Sequence, residues 1–180
     1  GSASGDGGGL AFTGERLSLI ETVLRGNDAG GRGGGLFVEG AEQVTVLGLR
    51  SELNRAARGG GWFLREVGTV DAADVLQVVD RADEAPLGVL EGVEQTALGL
   101  VGVVANEAGE AAIEVVESGL AGEVALEGLA CAGSCPVGLG IEAVDSALQG
   151  LTVQSSAVDV ALGVAGGSLE TVAATSITVL

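Results

Sequence analysis

Carboxylates are the reactive groups this chain holds in quantity: 25 Asp and Glu stand against eight Arg, with no Lys, His or Tyr. Glu91, Glu114 and Glu142 recur at intervals of 23 and 28 residues. If the chain coils at about that interval they stack, and carboxylates gathered within a few ångströms suit a hard cation such as Ca²⁺. The competing reading is a row of solvated glutamates that splay apart. "GDGGG" at 5–9 is not the Gly-Gly-x-Gly-x-Asp calcium repeat. Cys131 and Cys135 enclose "AGS". A disulfide closes that loop if the α-carbons approach within about 4.4–6.8 Å, and it would place the chain in an oxidising compartment. The alternative is two reduced thiols. A metal site needs more ligands than two Cys without His.

Without His there is no Ser–His or Cys–His nucleophile pair. "GDGGGLAFTG" lacks the Lys of a phosphate loop. Asp71/Asp74 and Asp83/Glu84 read as solvated acid pairs. We therefore expect no catalytic residue, no cofactor and no enzyme. The net charge is −17 and uneven. Residues 1–81 hold all eight Arg and eleven acids, whereas 82–180 hold fourteen acids and no base. Such a surface repels phosphate and anionic lipid, so neither nucleic acid nor membrane insertion is expected. No run of about 18 apolar residues occurs.

The elements that carry these residues are set by a repeat. Gly7-Gly8-Gly9-Leu10, Gly33-Gly34-Gly35-Leu36 and Gly59-Gly60-Gly61-Trp62 are spaced by 26 residues, and "VLEGVEQ" (89–95) matches "FVEGAEQ" (37–43) at twice that step. Looser copies follow at 111–118, 139–146 and 162–168. A period of 20–30 residues reads as a solenoid. The column Phe12, Val38, Leu64, Leu90, Ile113, Ile141, Val164 is apolar, and the position after it is mostly polar. Alternation at period two is the signature of a strand, and 33 glycines disfavour helix. The fold class expected is all-β, a right-handed parallel β-helix of about seven coils with 23–28-residue repeats. Leu10, Leu36 and Trp62 form one inward row, and Val44, Val70 and Thr96 another. The glycines serve a corner that needs positive φ and close backbone approach.

Asn27, Asn54, Asp80 and Asn106 recur at 27, 26 and 26 residues. Asn and Asp tolerate the left-handed conformation of a tight corner, and stacked Asn side chains bond between coils. Glu39, Arg65 and Glu91 fall on successive coils with alternating sign, an ordinary stabilising row. Phe37, Phe63 and Val89 share their parity and are expected outward, as a docking stripe for another chain. The alternatives are a register that turns them inward and a covering loop from the same chain.

The phrase "N-x-A-x-x-GGG-L/W-F-V/L" with its following strand resembles the right-handed parallel β-helix repeats of bacterial surface and secreted proteins. These include autotransporter-passenger-like and polymorphic outer-membrane-protein-like domains. The resemblance covers about residues 5–180 and is strongest in the first four copies. It implies a non-catalytic extracellular scaffold, a stalk or adhesin segment. A subunit that assembles end to end through open coils is the alternative, and a polysaccharide-active enzyme comes third. Residues 1–180 are expected as one domain of a longer protein, with 1–5 a cloning scar or partial coil. Its partners are then neighbouring coils of that protein or further copies of itself.

Overall fold

The computed structural model describes residues 1–78, 81–82, 88–104, 107–108, 111–127, 130–131, 139–155, 160–170, 173–174 and 177–179. Its regular structure is entirely β-strand, and its strand pairings are parallel. The chain is a parallel β-solenoid, as the repeat predicts. Residues 1–78 make about three turns, fewer than the seven coils expected. Past them the sheets continue as strands interrupted by residues outside the description, and the sheet of Leu36–Glu39 reaches eight strands.

One turn has four sides: Asp28–Ala29, Leu36–Glu39, Gln43–Leu47 and Arg50–Glu52. Four corners separate them, each turned by one left-handed residue: Gly33, Gly40, Gly48 and Leu53, with φ of +63°, +69°, +66° and +55°. The second of these corners repeats down the rod as Gly40, Glu66, Gly92, Glu117, Asp145 and Gly166, all at positive φ. The next residue of that corner points inward, so Ala41, Val67, Val93, Ser118 and Ser146 are buried. The third corner disappears in the strand Gln95–Val104, which pairs with both Thr69–Ala73 and Val75–Val78. A register shift between Leu98 and Leu100 marks the place.

Parallel pairing stacks each residue on its equivalent one turn away. Phe12, Val38, Leu64 and Leu90 are vertical neighbours, as are Leu10, Leu36 and Trp62, and Val44, Val70 and Thr96. The next member of the Leu10 row is Gly88, where an added Cβ would overlap the Trp62 indole. A large ring in one coil is thus accommodated by glycine in the next. Beyond Leu90 the expected column needs correction. Leu90 pairs with Val115, then Ala143 and Val164, whereas Ile113 and Ile141 continue the Leu10 row through Gly88. The slip is two residues, which preserves inward parity and hides it from a pattern of period two.

The triple glycines divide two tasks. Gly33 takes the positive φ, while Gly34 extends the ladder, donating to the Gly59 carbonyl at 3.1 Å. A Cβ on Gly34 would lie against the carbonyl oxygens of Arg55 and Gly60. Gly40 has open space around its missing Cβ and needs only its φ. Gly34→Ala should therefore cost about 2–4 kcal/mol, since backbone cannot give way as a side chain does. Gly40→Ala should cost about 1 kcal/mol, the strain of one left-handed residue. Urea denaturation followed by circular dichroism checks the ordering of the two midpoints.

Candidate functional site

The polar side chains with the most defined geometry lie at the fourth corner. Asn54 Oδ1 accepts from Asn27 N at 3.0 Å and from Asn27 Nδ2 at 2.9 Å. Asn54 Nδ2 donates to Leu24 O at 2.8 Å and Ser51 Oγ at 2.9 Å. The amino group of Gly1 donates to Asn27 Oδ1 at 2.7 Å. Asn27, Asn54 and Ser51 are all buried, so these bonds satisfy backbone and side-chain groups that no sheet pairing reaches at the corner. The left-handed residue is not the asparagine, as expected, but the residue before it: Gly26 at +62° and Leu53 at +55°. Asparagine is there for its amide. Asp80 and Asn106, the other members of the row, lie outside the described residues.

A second ladder was not foreseen. Ser118 Oγ accepts from Val93 N at 2.9 Å and donates to Val116 O at 2.7 Å, and Ser146 Oγ accepts from Ser118 N at 3.2 Å. The sequence signal was the inward corner column changing from Ala41, Val67 and Val93 to Ser118 and Ser146.

Phe37, Phe63 and Val89 do stack in one column, but they are not an exposed stripe. Phe37 is 5% exposed, Phe63 and Val89 0%, and the three form one buried cluster. The ring centroids of Phe37 and Phe63 are 5.9 Å apart. The cover comes from the same chain, the second of the alternatives. Gly33 brings its backbone against Phe37, so that a Cβ there would meet the Phe37 Cβ at 2.8 Å. The guanidinium groups of Arg32 and Arg58 lie over the Phe63 ring at 5.3 and 5.4 Å. Arg58 also reaches Glu91 at 3.6 Å, and Glu91 lies 3.3 Å from Arg65, which lies 3.5 Å from Glu39. The alternating row Glu39, Arg65, Glu91 is therefore a chain of ion pairs on half-buried side chains.

That engagement also separates the candidate calcium row. Glu114 pairs in register with Val89 and Glu142, whereas Glu91 pairs with Val116. Glu91 thus stands two residues away from the column of the other two, and the three do not form one row. Among the described residues no group of three or more His, Cys, Asp or Glu is placed to hold a metal. Cys135 lies outside the described residues, and with it the proposed disulfide. Cys131 takes the register position after Ala108, in the column occupied earlier by the buried Ala29 and Ala56.

Two further features belong to the surface and the interior. An open groove of about 400 Å³ is lined by Glu94, Gln95, Ala97, Gly119, Ala147 and Gln149. It forms where the outward column steps down from Gln95 to Gly119 and Ala147. Inside the rod, Trp62 Nε1 and Thr96 Oγ1 are buried without a hydrogen-bond partner among the described residues. Both residues line an apolar space of about 30 Å³ with Leu36, Val46, Leu64 and Leu90. Comparison with family models, with curated proteins and with solved structures finds no match for this chain.

Two substitutions test this accounting of polar groups. Asn54→Ala should destabilise by about 2–4 kcal/mol, because it strands two buried donors of Asn27. Thr96→Val should stabilise by about 1 kcal/mol, because it replaces an unpartnered hydroxyl in an apolar row with a methyl of similar volume. Thermal or urea unfolding measures both, with the single Trp62 as fluorescent reporter.

Proposed function

We propose that this chain is a non-catalytic structural scaffold, a rigid segment of a bacterial surface or secreted protein of the autotransporter-passenger or polymorphic outer-membrane-protein type. The observation that carries the reading is the employment of the polar side chains. Asn27, Asn54, Ser118, Ser146, Glu39, Arg65 and Glu91 bond from one coil to the next. Groups committed to holding coils together are not poised to bind and turn over a substrate. Each coil buries its apolar face only against its neighbours, so stability accumulates along the rod and surface groups are held at a spacing of about 4.8 Å per coil. That is the property required of a stalk or of an adhesive surface.

The third reading is a polysaccharide-active enzyme, for which the open groove lined by Glu94, Gln95 and Gln149 is the place to look. The purified chain is therefore incubated with uronate-containing and neutral polysaccharides. We expect no new reducing or unsaturated sugar ends, and persistence of the chain under protease concentrations that digest an unfolded control. Release of sugar ends that Glu94→Gln abolishes would overturn the scaffold reading.

A further inference from the structure

We infer that ionic strength regulates how much of the rod is folded: the coils past Gly92 work against their own negative charge and gain stability as it is screened, whereas the coils before it do not. All eight Arg lie at or before Arg81, and residues 92–180 hold eleven acids and no base. The described ion pairs accordingly stop at Glu91. They join Arg25 and Arg50 to Glu52, Arg58 to Glu91, and Arg65 to Glu39, Glu66 and Glu91. Arg81 has Glu107 as a register partner. Beyond that coil the chain offers no cation to meet a carboxylate.

Parallel stacking then sets like charge on like charge. Glu114 and Glu142 are register partners on successive coils. Three residues on, Glu117 and Asp145 take the same corner of the same two coils, and both are exposed. Acids so placed are separated by one coil spacing of about 4.8 Å and repel. Earlier in the rod that corner carries Gly40, Glu66 and Gly92, and Glu66 lies 3.5 Å from Arg65.

Salt acts on the two parts with opposite sign. It weakens half-exposed ion pairs and relieves repulsion between exposed like charges. Each coil contacts only its neighbours, so one part of the rod can open while the other holds. Sugar release by the chain would overturn the scaffold reading and leave this salt response standing.

The test is hydrogen exchange on the full chain at neutral pH, read by mass spectrometry with the unfolded chain as reference. Raising NaCl from about 0.01 M to about 1 M shortens the screening length from about 30 Å to about 3 Å. Strands within 111–155 should gain protection by roughly ten-fold, and strands within 36–73 should gain none. Glu117→Arg, at an exposed corner, sets a cation beside Asp145 and should cut that gain to roughly half. Sucrose strengthens burial without screening charge, and should protect both parts alike. Equal gains in both parts with NaCl, no gain in either, or a gain untouched by Glu117→Arg would overturn the inference. So would a gain that CaCl₂ produces and NaCl at matched ionic strength does not, since that marks a bound ion and not screening.

Discussion

Every described coil is held by hydrogen bonds to a residue about 26 positions away, and by almost none within itself. Glu66 N to Glu91 O, Gly40 N to Arg65 O and Gly48 N to Ala73 O are of this kind. A parallel ladder admits no local alternative, because its strands must be joined by a full circuit of chain. The circuit length is then constrained by the register. A residue gained or lost in one turn shifts every column above it, unless a corner or bulge absorbs the change. The step from Leu90 to Val115 and the shift between Leu98 and Leu100 are such adjustments.

The corners are where this constraint is met. Turning an extended chain sharply without losing its ladder takes one left-handed residue, followed by one that points inward. Glycine meets the first requirement without strain, yet Glu21, Leu53, Glu66, Asp74, Glu117 and Asp145 also occupy such sites. Each non-glycine residue there carries a cost of about 1 kcal/mol or more. The ladder on either side and the buried residue that follows offset it. The inward corner position decides how backbone groups are satisfied. Where it is Asn or Ser, its side chain bonds to the neighbouring coil, and where it is Val or Ala it adds to the apolar stack.

The covering of Phe37, Phe63 and Val89 follows from the same geometry. A short first side and a flexible glycine run let the chain fold back over the outward face of the second side. Arg32 and Arg58 then close over Phe63 while Glu91 holds Arg58 and Arg65. An outward apolar column thus becomes a second small core. The scaffold reading draws on this economy of polar groups.

The winding, the strand class and the inward rows of the first four copies were legible in the sequence, because the spacing of 26 and the alternation of period two are properties of residue order alone. Parity told that Phe37 and Phe63 face away from the main core. It could not tell that Arg32 and the backbone of Gly33 return to cover them, since that contact depends on how a glycine corner folds in space. Likewise the sequence aligned Glu91 with Glu114, but the ladder pairs Glu91 with Val116. Two-residue slips keep every side chain on its own face, so only hydrogen-bond pairing between coils distinguishes them. The residue order determined that this chain coils and which faces are apolar. Tertiary structure decided which residues are neighbours one coil apart, because register is chosen by the ladder and its corners together and not by any single repeat.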